Sequence, residues 1–179
     1  MIKKLLLLLV AVVAIFLAVA AMQPDDFRVS RSTTIAATPA VLFDYANDLH
    51  KWQEWSPWAK LDPAAKGTYT GPAAGVGSAF SWSGNNQVGE GTMTITESKP
   101  GELVRYKLDF KKPFEGSNIA DIAYKAEGDT TLITWSMSGK KNLIFKAMGL
   151  IMNCDKMCGD QFNQGLESLR KLTETAPKP

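Results

Sequence analysis

Histidine is nearly missing from this chain and cysteine is scarce: one His, at position 50, and two Cys, at 154 and 158. A single histidine leaves no choice of base for a Ser-His-Asp arrangement and too few nitrogen donors for a zinc centre. His50 lies beside a tryptophan cluster on a short helix expected to be exposed, so a surface role is its reading. The cysteines are four apart, and at helical spacing their Cβ atoms stand about 5–6 Å apart. A disulfide needs about 3.5–4.5 Å, so both thiols read as small buried hydrophobes. No glycine-rich phosphate loop and no zinc-ligand spacing occur. An excess of one charge is also lacking. Of 20 Lys+Arg against 18 Asp+Glu, Lys3 and Lys4 belong to the leader, so the body is formally neutral. That excludes a basic nucleic-acid stripe and a polybasic lipid patch. Neither cofactor nor metal is expected.

The chain does have one long apolar run. Lys3 and Lys4 precede Leu5 to Met22, uncharged and rich in Leu, Val and Ala. As a helix this run reaches about 27 Å, close to the hydrocarbon thickness of a bilayer. It exceeds the roughly 7–15 residues of a signal-peptide core, which favours a retained anchor over cleavage after Ala18-Val19-Ala20. In either case the lysines stay cytoplasmic and the rest is exported. The expected organisation is a membrane anchor (or signal peptide) over 1–24, one domain over 25–174 and a disordered tail over 175–179. The expected location is the cell inner membrane, single-pass, with the domain on the periplasmic or extracytoplasmic side.

Aromatic residues are unevenly spread. Asn47 to Trp58 reads Asn-Asp-Leu-His-Lys-Trp-Gln-Glu-Trp-Ser-Pro-Trp and holds three of the five tryptophans. Trp52 and Trp55 share one face of a short helix, which Pro57 ends, turning Trp58 out of register. Each indole buries roughly 200 Å² and still needs an acceptor for its N–H. The cluster therefore anchors a core or lines an apolar cavity.

Around it the periodicities give an order of elements. Phe27 to Ile35 reads as a strand. Thr38-Pro39 starts a helix that Val41, Leu42, Tyr45 and Leu49 continue. The tryptophan segment adds a second short helix. From Lys66 the pattern is strand-like with frequent turn signals such as Gly71-Pro72 and Pro100-Gly101. Val104, Tyr106, Leu108 and Phe110 alternate with polar residues, as do Ile133, Trp135 and Met137, which marks antiparallel strands with one covered face. Asn142 to Thr173 reads as one long helix, bent near Gly149 or Gly159. The fold class predicted is α+β: a curved antiparallel sheet of about seven strands wrapped around a long C-terminal helix, with two short helices after the first strand.

This order resembles a family. Together with the Asn-Asp-Leu…Trp-x-Glu-Trp-Ser-Pro-Trp segment and the Met-Gly-Leu-Ile-Met-Asn…Asp-Lys-Met-Cys-Gly-x-x-Phe segment, it looks like the SRPBCC, or START-like, superfamily, which includes polyketide cyclase/dehydrase-like and birch-pollen-allergen-like proteins. The resemblance spans Phe27 to about Leu172 and is closest to a bacterial branch with an N-terminal membrane segment. It implies a helix-grip fold with a deep, mostly apolar cavity between sheet and C-terminal helix. It carries over no catalytic residue, because the superfamily holds carriers, receptors, cyclases and chaperone activators on one fold.

The site residues come from the pattern itself. At 100° per residue, Ile151, Asp155, Cys158, Phe162, Leu166 and Leu169 form one stripe. Asp155 then sits on an apolar face, either as a polar handle in a cavity or as a structural bond. Glu90 shares a strand face with Thr92, Thr94 and Thr96. Facing the cavity, it would approach Asp155 as a carboxylate pair, the minimum for acid–base work; facing outward, it is a solvated charge. The expected ligand-binding set is Trp52, Trp55, Trp58, Glu90, Tyr106, Trp135, Asp155, Cys158 and Phe162, with no catalytic residue. The expected function is to bind a hydrophobic or amphipathic small molecule or lipid. The alternatives are a cyclase or dehydratase acting on such a molecule, and an accessory domain docking on a membrane protein.

Overall fold

The computed structural model describes residues 1–174, so the expected tail over 175–179 lies outside the described residues. The N-terminal run forms α1 (Ile2–Ala21), which is long and apolar enough to cross a membrane by length and composition. After it come β1 (Asp26–Ile35), α2 (Pro39–Asn47), α3 (Leu49–Trp55) and α4 (Pro57–Leu61). Six strands follow: β2 (Lys66–Thr70), β3 (Ala79–Ser83), β4 (Glu90–Lys99), β5 (Leu103–Lys112), β6 (Gly116–Glu127) and β7 (Thr130–Lys140). The chain then forms α5 (Leu143–Ile151) and α6 (Cys154–Glu174).

All seven strands join one antiparallel sheet in the order β1-β7-β6-β5-β4-β3-β2. Consecutive strands from β2 to β7 are neighbours, and β1 closes onto β7. The three short helices carry the chain from one sheet edge to the other. The alternation read from the sequence sets the inner face, since Val104 and Tyr106 on β5 and Ile133 and Trp135 on β7 are buried. On the outer face Arg105 holds Asp121 at 2.7 Å and Glu97 at 2.9 Å, so three strands share one ion network on the wet side. Against the inner face α6 lays Phe162, Leu166 and Leu169, all essentially without exposure.

Two expectations about helices are corrected. Three short helices follow β1, not two, because Pro57 both ends α3 and opens α4 at its first turn, the one place in a helix where a missing N–H costs nothing. The C-terminal helix is interrupted, and at Met152–Asn153 rather than at a glycine. There Asn153 caps the next helix, its side chain accepting from Lys156 N at 2.9 Å. An Asn that can satisfy free N–H groups competes with helix continuation. Gly149 has open space around it, and Gly159 lies within α6 where Arg31 of β1 crosses it.

Candidate functional site

The tryptophan segment folds as its spacing requires. Asp48 caps α3 by accepting from His50 N at 2.8 Å, and Trp52 and Trp55 meet with ring centroids 4.4 Å apart. Trp55 is fully buried and donates its N–H to Tyr45 O at 3.0 Å. Trp135, from the middle of β7, enters this cluster, with its centroid 5.1 Å from Trp52, 5.3 Å from Trp55 and 5.6 Å from Trp58. Phe162 of α6 covers it face to face. The indole N–H of Trp135 is buried without a hydrogen-bond partner among the described residues. An unpaired buried donor is costly, and within the cluster, among the described residues, only Trp55 has its N–H satisfied by a protein acceptor.

Beside this cluster lies a cavity of about 530 Å³, within the range usual for small-molecule sites. Trp52, Trp58 and Phe162 wall the helical side. Phe80 and Trp82 of β3, Met93 of β4 and Tyr106, Leu108 and Phe110 of β5 wall the sheet side, with Ala120, Trp135 and Met137 completing the floor. Cys158 closes the α6 side, its thiol pushed up from the ordinary value first by burial. Polar groups are few: Asp62, Gln87 and Lys112 at the rim, with Gln53 and the buried Ser56 from the α3–α4 segment. Asp62 is already engaged, accepting from Asn85 N at 2.7 Å and Ala64 N at 3.2 Å. Tyr106 spends its hydroxyl on Ala46 O at 2.7 Å, and burial pushes that phenol well above its usual range. The interior wall is thus mainly aromatic and aliphatic, with the thioethers of Met93 and Met137. A second concavity, along Asp26–Arg28, Ile119 and Ser138–Lys140, is an open groove at the end of the sheet.

Six of the nine residues expected at the site line this cavity: Trp52, Trp58, Tyr106, Trp135, Cys158 and Phe162. Three do not. Trp55 packs behind Trp52 and Trp135 as core. Asp155 is exposed in the first turn of α6 and pairs with Arg31 Nη2 at 2.9 Å, because the break at Met152–Asn153 begins the buried stripe one turn later than a continuous helix would. Glu90 is on the threonine side of β4, which faces outward while Met93 and Ile95 are buried. Lys112 Nζ, 2.9 Å away, holds its carboxyl below the usual range. The carboxylate pair does not form, since the two groups are tied to β1 and β4, four interstrand spacings or roughly 19 Å apart.

Residues absent from the expected set contribute much of the wall. Phe80 and Trp82 alternate with Ala79, Ser81 and Ser83, a period-2 signal that was available in the sequence. Leu108, Phe110 and Met137 belong to alternations already recognised, but only the curvature of the sheet aims their ends at a void. His50 stacks on Tyr69, with centroids 3.8 Å apart, on the outside. Both cysteines are free, and no metal-ligating cluster occurs among the described residues.

Residues 26–174 match the model of the family described as polyketide cyclase/dehydrase and lipid transport. Among solved structures, protein CV1439 from Chromobacterium violaceum is similar at 18% identity and a TM-score of 0.60, over 86% of this chain and 100% of that one. The Aha1 dimer from Colwellia psychrerythraea is similar at 16% identity and 0.61, over 85% and 99%. Major latex-like protein 151 from Panax ginseng gives 16% and 0.61, over 86% and 100%. At such identities these likenesses speak for the fold. Comparison with curated proteins finds no match.

Proposed function

The chain belongs to the polyketide cyclase/dehydrase and lipid transport family, and we propose that it holds a hydrophobic or amphipathic small molecule or lipid in the cavity between sheet and α6. The observation that carries this is the composition of the wall: a void of about 530 Å³ ringed by four aromatic side chains of β3 and β5 (Phe80, Trp82, Tyr106 and Phe110), with its charged groups confined to the rim. An apolar guest regains the dispersion contacts that such walls forgo and displaces poorly bonded water. Trp52, Trp58, Tyr106, Trp135, Cys158 and Phe162 supply the contact surface for such a guest. A cyclase or dehydratase needs convergent titratable groups. The one carboxylate of the rim, Asp62, is committed to backbone N–H groups, which favours binding over turnover.

We further propose that α1 is a retained single-pass anchor. Its twenty residues, with Lys3 and Lys4 at the start, support an inner-membrane protein whose domain lies outside the cytoplasm. The full-length chain, solubilised in mild detergent, should carry a non-covalent apolar adduct in native mass spectrometry and take up cis-parinaric acid. Repeated preparations with neither adduct nor uptake would overturn the binding reading. A mature N-terminus near Ala21 would overturn the anchor and leave the binding reading standing.

A further inference from the structure

The short helix α5 is unusual for a protein surface. Of its nine residues, Leu-Ile-Phe-Lys-Ala-Met-Gly-Leu-Ile, seven are apolar, and none is buried. Leu143, Ile144, Leu150 and Ile151 are exposed, Ile151 at 77%. A water-facing patch of this density marks an interaction site. Phe114, from the β5–β6 turn, extends it by an edge-to-face contact with Phe145 at 5.7 Å.

What covers α5 follows from where it is fastened. It packs beside α1. Its single charge, Lys146, is nearly buried, bonding the last carbonyl of α1, Ala21 O, at 3.3 Å and forming an ion pair with Asp25 just beyond. This pair draws the only polar group of α5 toward the chain emerging from α1 and leaves the apolar faces outward. The exposed surface of α5 is thus continuous with the apolar surface of α1, and whatever solvates α1 meets α5 as well. Topology adds a second point. The ends of β3, β5 and β7 and the starts of β4, β6 and β1 fall at one end of the sheet. Rim residues Gln87, Lys112 and Pro113 lie at that same end, as does the exit of α1.

We propose that α5, with Phe114, lies in the interface of the bilayer that α1 spans, holding the cavity rim against the membrane so that the ligand is an amphiphile exchanged directly with that leaflet. This rests on α1 being a retained anchor and on the cavity binding an apolar guest. Because the body is formally neutral, the seating is by apolar burial and is insensitive to salt.

The test uses the full chain in phosphatidylcholine vesicles, with Cys154→Ser and Cys158→Ala as background. An environment-sensitive fluorophore is attached at Ile151→Cys or, as a control at the far end of the sheet, at Asp129→Cys. The fluorophore at position 151 should emit to the blue and be quenched by shallow nitroxide-labelled lipid, while that at 129 should do neither. Equal, water-like behaviour at both positions overturns the proposal. So does a blue emission at 151 that lipid nitroxide fails to quench, which would mean a second copy covers α5. In a second arm, Ile144→Glu with Ile151→Glu should slow transfer of cis-parinaric acid from vesicles by roughly tenfold while leaving its affinity in detergent unchanged. Unaltered transfer overturns the exchange route. Loss of binding in detergent by the unmodified chain would refute the cavity reading instead, and the fluorophore measurement stands apart from it.

Discussion

The indole of Trp135 and the phenyl ring of Phe162 lie parallel, with planes 9° and centroids 4.3 Å apart. This stack joins the second strand of the sheet order to the long helix and forms one wall of the cavity. It is possible because Gly165, one turn after Phe162, has no side chain. A Cβ there would stand 2.7 Å from Trp135 Cζ3 and 3.2 Å from Pro57 Cδ.

Gly165→Ala is therefore expected to destabilise the domain despite alanine being the better helix former. The propensity gain is about 1 kcal/mol. Pushing a ring held by four aromatic neighbours costs about 1–3 kcal/mol. The net loss should appear as a lower melting temperature, roughly 2–4 °C for each kcal/mol at this size. A rise in melting temperature would mean that the stack yields freely.

Ala120 is buried on β6, opposite Tyr106 and Met137 in register, and its small side chain opens the cavity floor. Ala120→Phe directs a ring into that void. Stability should stay within about 1 kcal/mol, because the new atoms enter open space rather than a filled core. Affinity for cis-parinaric acid should fall at least about tenfold. Unchanged affinity in a folded variant would place the binding site elsewhere.

Asp155 and Arg31 pair at 2.9 Å with side chains 60% and 27% exposed. An ion pair so open is screened by solvent and contributes little. Asp155→Asn should therefore leave the melting temperature and ligand affinity nearly unchanged. A tenfold loss of affinity would return Asp155 to the site.

Alkylation separates the two thiols. Cys154 is exposed and should react first, whereas burial raises the pKa of Cys158 above its ordinary value of 9.0. The thiolate is the nucleophile, so at pH 8 Cys158 should label more slowly, and its rate should still be climbing past pH 9. Since Cys158 lines the cavity, a bound fatty acid should slow it further and leave Cys154 unaffected. Mass spectrometry of the timed labelling mixture checks both statements. Equal rates with and without fatty acid would remove Cys158 from the wall.

The sequence by itself determined whatever depends on periodicity and local covalent chemistry. Period-2 alternation at Val104–Phe110 and Ile133–Met137 specified antiparallel strands and their inner faces. The i,i+3 spacing of Trp52 and Trp55 specified a shared helix face, and the uncharged run Leu5 to Met22 specified a helix of membrane length. Tertiary structure decided what depends on where those elements end and meet. Asp155 looked like part of an apolar stripe because a helical wheel assumes one unbroken helix. The cap at Asn153 ended that assumption, and the register of α6 against β1 then gave the carboxylate to Arg31. Glu90 could be placed on a face from its neighbours, but only the curvature of the sheet showed which face was wet. Trp55 and Trp52 are equivalent on the wheel, yet the arrival of Trp135 from β7, eighty residues further on, leaves one as core and the other as cavity wall. Local interactions are set by spacing along the chain, whereas a cavity is the space that distant segments fail to fill, and no local spacing encodes it.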